Sequence, residues 1–194
     1  MSIKKTLSKK LVALGLSASA ALSAGYLIIP WEGSVKNKQG QHVAYIDAVG
    51  VPTACYGQTG KDLYGKPIQK GMVYSEEECL IMLEKSVKHF EAVVDKYVHA
   101  SYASPYQKAA LISFTYNVGE GNLKSSTLLK KLNRNDHIGA CEELVRWVYA
   151  KKKKLPGLVN RRSEEMQWCL GEAPLEAVIT FQEILRMVKE LNKE

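Results

Sequence analysis

The strongest constraint on this chain is a run of nineteen uncharged residues, Leu11 to Ile29 (LVALGLSASAALSAGYLII), behind a head with four lysines and no acid. As a helix it would span roughly 28 Å, close to the hydrocarbon thickness of a bilayer. Lysines before it and none just after it hold the head on the cytoplasmic side, so the remainder would face outward. Ten of the nineteen residues are Ala, Ser or Gly, which makes the segment a weak anchor. Three readings stay open. A signal peptide cut after Ala20 satisfies the small-residue rule through Ala18 and Ala20, but leaves only Leu11 to Leu16 as its apolar core. A permanent anchor conflicts with the small residues. A marginal anchor that can leave the membrane fits the composition best. A buried helix of a cytosolic fold conflicts with the flanking lysines.

The rest of the 194 residues are enough for one domain. With 46% apolar and 24% charged residues the chain is globular in composition, and with one long apolar run it is not a polytopic membrane protein. The formal charge is +7, four of it in the lysine head. The basic surplus and Lys151–Lys154 would admit a nucleic-acid binder, but an export signal removes that partner. Cysteines stand at 55, 79, 141 and 169, all beyond the apolar run and without C-x-x-C spacing. An exported chain with an even count suggests disulfides, with three possible connectivities. Pairing Cys55 with Cys79 and Cys141 with Cys169 joins neighbouring elements, each loop contributing roughly 3 kcal/mol in the chain-entropy picture. Four reduced, buried thiols are the alternative.

Beyond Pro30, Val43–Ile46 and Val51–Tyr56 read as a β-hairpin, and glycines at 57, 60, 65 and 71 mark a loop-rich stretch. From Ser75 on, the pattern is helical. Ser75 with Glu78 forms a capping box ahead of the stripe Leu80, Leu83, Val87, Phe90, Val94 and Tyr97. Ser104-Pro105-Tyr106-Gln107 opens an apolar helix that ends at Asn117-Val118-Gly119. Further helices are expected over Ser126–Leu132, Ile138–Tyr149 and Leu158–Leu170, and an amphipathic one from Pro174 to about Asn192. A small hairpin beside a helical body predicts an α+β fold with segregated elements.

No phosphate loop, G-x-S-x-G, H-E-x-x-H or dinucleotide fingerprint occurs. What remains is a set around the hairpin: Glu32, Asp47 at the turn, and Thr53 on the second strand. Glycoside cleavage needs a protonated acid for the leaving oxygen and an ionised group to handle water. Glu32, beside Ile28, Ile29 and Trp31, has apolar neighbours suited to the first duty. Asp47 on a polar turn suits the second. Taken alone, a Glu and an Asp flanking a hairpin are more often a helix-end charge and a turn residue.

Five segments alter that balance: PWEG at 30–33, AYIDAVGVPTACYGQTG at 44–60, NVGEGNLKSSTLLKKLN at 117–133, CEELVRWVYA at 141–150 and LPGLVNRRSEEMQWCL at 155–170. In this order they resemble the phage-type lysozymes of glycoside hydrolase family 24, and with its N-terminus the chain looks like a signal-anchor-release (SAR) endolysin. The resemblance implies a lysozyme-like α+β fold, with a small β-hairpin lobe, a mainly helical lobe and an N-terminal apolar helix. Its domains would be a signal anchor at 1–29, a catalytic domain at 27–171 and a C-terminal helix at 172–194.

It implies hydrolysis of the β-1,4 bond between N-acetylmuramic acid and N-acetylglucosamine in bacterial peptidoglycan. Glu32 would be the proton donor, Asp47 the carboxylate handling water, and Thr53 an assisting hydroxyl. Tyr56, Asn117 and Gly119 are the expected substrate contacts. Neither metal nor organic cofactor is implied, and the expected state is a monomer acting beside a holin or pinholin. The expected place is the inner membrane facing the periplasm, then the periplasm itself.

Two departures stand out. Glu32 and Asp47 lie fifteen residues apart, more than is usual in the family, so Ser34 to His42 reads as an inserted polar loop. Gln58 occupies a position where the family often has His. Arg161 and Arg162 are expected to pair with Glu164 and Glu165. Trp147, Trp168 and Leu144 are expected in the core. A lytic transglycosylase, which needs chiefly the Glu, and a non-catalytic peptidoglycan binder are the competing functions.

Overall fold

The computed structural model describes residues 20–47 and 49–173. The first half of the apolar run, Leu11 to Ser19, and the expected helix from Pro174 lie outside the described residues. The described chain divides into two compact units: Ile28–Ser86, and the residues before Ile28 together with those from Val87 on.

The Ile28–Ser86 unit carries the small sheets. A single expected strand over Val43–Ile46 is divided in two. β1 (His42–Val43) pairs antiparallel with β5 (Val73–Tyr74), whereas β2 (Tyr45–Ile46) pairs with β3 (Pro52–Ala54). The division falls at Ala44, whose backbone bonds to Met72 and Gly71 on the β5 side. Thus the first half of the run finds its partner in a segment of remote sequence, and only the second half forms the expected hairpin. β4 (Gln58–Thr59) then adds to β3 within the stretch expected to be loop. Cys55 and Cys79 are joined in this unit.

Three turns here use one device. Asn37, Asp47 and Asp62 each accept, on a single Oδ1, the N–H groups two and four residues ahead, at 2.8–3.0 Å. The side chain thereby imitates a backbone turn. The first of them closes the polar loop Ser34–His42, which is an ordered turn bridged at Lys36 and His42.

α2 (Glu76–Tyr97) starts on the capping box: Glu78 N donates to Ser75 Oγ at 3.1 Å, and Ser75 N donates to Glu78 Oε2 at 2.7 Å. Its stripe is buried at Leu80, Leu83, Val87 and Val94, while Phe90 and Tyr97 are half-buried.

The second unit is mainly helical. It holds α1 (Ala20–Ile28) up to Leu27, α3 (Pro105–Val118), α4 (Glu120–Ser125), α5 (Thr127–Leu132), α6 (His137–Glu142) and α7 (Pro156–Cys169). α3 is capped by Ser104, whose Oγ accepts from Gln107 N at 3.1 Å, and packs along α7. Trp168 of α7 is buried against the rings of Tyr26 and Tyr106. Leu144 is likewise in the core, but Trp147 is only half-buried. Cys141 and Cys169 are joined.

The helix expected over Ile138–Tyr149 stops early. After Glu142 the chain tightens into a 3₁₀ turn, Glu143–Arg146, and then forms a hairpin of β6 (Tyr149–Ala150) and β7 (Lys153–Lys154). Lys151 and Lys152 occupy its turn with positive φ, a conformation that no helical period announces. The lysine run is therefore a hairpin tip rather than a helix end.

Candidate active site

Glu32, Asp47, Thr53 and Tyr56, four of the residues expected to serve the chemistry, lie in the Ile28–Ser86 unit. α1 ends at Ile28, whose carbonyl accepts from both Trp31 N and Glu32 N at 3.0 Å. Pro30 occupies the intervening turn, where its ring prevents the helix from running on. Glu32 is thus fixed by its backbone to a helix end, with its side chain half-buried.

Opposite its carboxylate stands Gly57, with φ +85°. A Cβ built at this position would lie 2.7 Å from Glu32 Oε2. Glycine is required here twice, by the left-handed backbone and by the close approach.

Asp47 begins the β2–β3 turn. Both of its backbone partners, Val49 N at 2.9 Å and Val51 N at 2.8 Å, fall on Oδ1, and Oδ2 takes part in neither bond. The turn therefore orients the carboxylate without using all of it. Thr53 lies on β3, 4% exposed, and its hydroxyl donates to Val51 O at 3.1 Å. That leaves lone pairs on Oγ1 as acceptors.

Tyr45, absent from the sequence expectation, ties these groups together. It is the direct cross-strand partner of Thr53, so their side chains share one face of the sheet. Burial raises its phenol above the ordinary tyrosine value, and the negative charges of Glu32 and then Asp47 raise it further. One phenol thus feels both carboxylates. The sequence signal for it was the alternation Tyr45-x-Asp47, which places both on the same side of a strand.

The residues expected to touch substrate are placed differently from one another. Tyr56 is 6% exposed, and its hydroxyl donates to Glu76 in a tight hydrogen bond. Burial first, and then that bond, push its phenol well above the ordinary range. Glu76 also accepts from Lys36 Nζ at 2.8 Å and from His42 Nε2 at 3.0 Å. His42, Lys36 and Tyr56 together hold its carboxyl far below the usual carboxylate range. Tyr56 is therefore a buried support of the small sheets.

Asn117 and Gly119 belong to the other unit. Asn117 is exposed, its Oδ1 accepting from Arg162 Nη2; Gly119, at φ +84°, ends α3 by donating to Thr115 O. Arg162 is itself buried in a trio with Glu165 and Arg161, and Ser113 donates to Glu165 at 2.7 Å. The arginines thus pair with Glu165, as an i, i+4 and i, i+3 pattern allows.

The phage lysozyme sequence family matches residues 36–165, a range that includes Asp47 and Thr53 and begins just after Glu32. This chain belongs to the phage lysozyme family. Its relatives include the SAR-endolysin of Bacteriophage PS119, 40% identical over 164 residues that cover 81% of this chain and 95% of that one. The SAR-endolysin of Enterobacteria phage P21 is 37% identical, over 84% of this chain and 94% of the relative. Among solved structures, the endolysin from Escherichia coli O157:H7 phage FAHEc1 matches with a TM-score of 0.66 and 30% identity, over 78% of this chain and 94% of that structure. The active form of the P1 phage endolysin Lyz shares the fold at a TM-score of 0.69 and 18% identity, over 88% and 95% of the two chains. As a phage lysozyme the chain is a glycoside hydrolase, a muramidase with a peptidoglycan-lytic function.

Proposed function

We propose that this lysozyme cleaves the β-1,4 bond between N-acetylmuramic acid and N-acetylglucosamine with Glu32 as proton donor and Asp47 as the partner carboxylate. The observation that carries the assignment is Tyr45, whose phenol feels both carboxylates and which stands directly across from Thr53. Glu32 gives its proton to the leaving glycosidic oxygen, and positive charge develops at the anomeric carbon. Asp47, oriented through Oδ1, offers Oδ2 to the attacking water. Thr53 Oγ1 accepts a second water proton and fixes the water's direction. The direct test is clearing of purified bacterial cell walls: Glu32→Gln should lower the rate at least a hundredfold at unchanged folding, and retained clearing would remove Glu32 from the role.

The route to the wall follows from the N-terminus. Residues 11–29 carry the chain to the inner membrane, facing the periplasm, where a holin or pinholin triggers release. Ala24, Leu27 and Ile28 are each 0% exposed in the folded protein, and Tyr26 lies against Trp168. The same residues cannot lie in the bilayer and in this core at once, so the tethered chain is inactive and release assembles the enzyme. Among the described residues no helix is long and apolar enough to cross a membrane, so the proposal rests on the sequence of 11–29 and on relatives named SAR-endolysins. Leucine at Gly15, Ser17, Ala18 and Ser19 deepens the anchor without touching the described core. Lysis should then fail, and undiminished lysis by a membrane-retained chain would contradict the route.

A further inference from the structure

His42 is fully buried, at 0% exposure, and its two ring nitrogens are treated very differently. Nε2 meets Glu76 Oε2 at 3.0 Å, whereas Nδ1 has no hydrogen-bond partner among the described residues. Glu76 already accepts from Lys36 Nζ and from the Tyr56 hydroxyl and is the acceptor of this contact too, so the proton on it belongs to Nε2. In the neutral ring Nδ1 is then a bare lone pair. Buried polar nitrogens without partners are rare, and this one calls for an explanation.

The neighbours supply one. A ring nitrogen of His42 and the sulfurs of Cys55 and Cys79 all lie within 4.8 Å of one another. The two cysteines are disulfide-bonded, and in that state their sulfurs have no proton to give and little affinity for metal. Reduction changes both properties. Ligand atoms around a tetrahedral Zn²⁺ stand roughly 3.5–3.8 Å apart, as Zn–S near 2.3 Å and Zn–N near 2.0 Å require. The nitrogen-to-sulfur spacing needs about an ångström of closure, and the two sulfurs, freed from their bond, must move apart to about 3.8 Å. A carboxylate accepting from the far nitrogen of a metal-bound His is also the usual outer-shell arrangement, since it fixes the tautomer and raises ligand basicity. Glu76 already occupies that position.

We propose that, when Cys55 and Cys79 are reduced, their thiolates and His42 Nδ1 form a binding site for Zn²⁺. Reduction by a water-soluble phosphine cleaves the Sγ–Sγ bond, water supplying both thiol protons and the oxygen of the phosphine oxide. Zn²⁺ then displaces the two protons to solvent and takes three protein ligands, with one position left to a solvent molecule. Disulfide and metal are mutually exclusive, so the same three residues hold this unit together by a covalent bond under oxidising conditions and by a cation under reducing ones. The site is a property of the reduced chain and holds by whatever route the protein leaves the cell. Cys141 and Cys169 provide an internal contrast: Gln107 Nε2, at 3.7 Å from Cys141 Sγ, is not a metal ligand.

The experiment uses the full chain, reduced with phosphine under argon, with Co²⁺ and then Zn²⁺ as probes. One equivalent of Co²⁺ should give a thiolate-to-cobalt charge-transfer band that Zn²⁺ removes, and the oxidised protein should give none. In parallel, iodoacetamide labelling read by peptide mass should show Zn²⁺ slowing alkylation of Cys55 and Cys79 by about tenfold or more. Cys141 and Cys169 should be unaffected, and a chelator should restore the rate. His42→Ala should abolish the band. Glu76→Gln keeps all three ligands and should weaken binding by about tenfold, which covers the case in which His42→Ala fails to fold. Absence of the band, or equal protection of all four cysteines, would overturn the site in favour of a thiol–imidazole hydrogen bond.

Discussion

A Cβ on Gly57 would stand 2.7 Å from Oε2 of Glu32. The obstructed atom is the far end of a flexible side chain, so the fold can yield, but only by moving the carboxylate. Gly57→Ala should therefore remain folded, destabilised modestly by its φ of +85°. Its kcat on cell walls should fall by about a hundredfold, the usual cost of displacing a reacting group by an ångström. A thermal melt beside the kinetics checks both halves.

The turn role of Asp47 and its proposed catalytic role are separable by one substitution. Asn37 builds the same turn as Asp47, with its amide oxygen accepting from Gln39 N and Gln41 N at 3.0 Å. Asp47→Asn should accordingly preserve the β2–β3 hairpin and the melting temperature. Activity should drop by about 10²–10⁴-fold, because an amide cannot take a proton from water. Full activity in this variant would reduce Asp47 to a turn residue.

How much of this was legible in the sequence depends on where the partners lie. The capping box at Ser75 and the Ser104 cap are local, and the structure places both as the spacing predicts. The hairpin at Asp47 was legible for the same reason. The break at Ala44 was not, because β1 takes its partner from Val73–Tyr74 across a long loop. The end of α6 at Glu142 was missed because a 3₁₀ turn continues the apolar pattern without the α-helical period. Gly57 could be read as a turn glycine, but nothing in its neighbourhood announces that the Glu32 carboxylate fills the space. Tyr45 reads in the sequence as one more residue of a strand, and the cross-strand register reveals its position beside Thr53. The Glu76 network was hidden for a similar reason: Lys36, His42, Tyr56 and Glu76 come together only after the small sheets form.

Glu76 makes stability depend on pH. Its carboxyl sits below the ordinary value of 4.5, chiefly through the hydrogen bond from His42, with Lys36 and Tyr56 adding to it. A depressed folded-state pKa contributes stability that is present above the unfolded value and lost as pH falls below it. The melting temperature of the wild type should therefore decline on acidification from pH 5 downward, about where the unfolded carboxyl protonates. Glu76→Gln should lower stability at neutral pH and flatten that decline. Parallel pH curves for the two proteins would contradict the assignment.

The buried trio of the helical unit should be sensitive in a different way. Glu165 is 0% exposed and bonds both Arg161 and Arg162, themselves 3% and 1% exposed. Removing the one carboxylate leaves two guanidinium groups buried with less compensation. Glu165→Ala should cost about 3–5 kcal/mol in urea unfolding. Glu164→Ala, on the same helix but outside this trio, should cost far less.

If Glu32 protonates the leaving oxygen and Asp47 directs the nucleophile, then water, and not an internal sugar hydroxyl, reaches the anomeric carbon. Digesting purified peptidoglycan in H₂¹⁸O and weighing the muropeptides tests it most directly. Hydrolysis should leave reducing N-acetylmuramic acid ends that carry one ¹⁸O and are absent from Asp47→Asn digests. Unlabelled anhydro-sugar ends, produced equally well without the Asp47 charge, would contradict it and assign the chain to the transglycosylases.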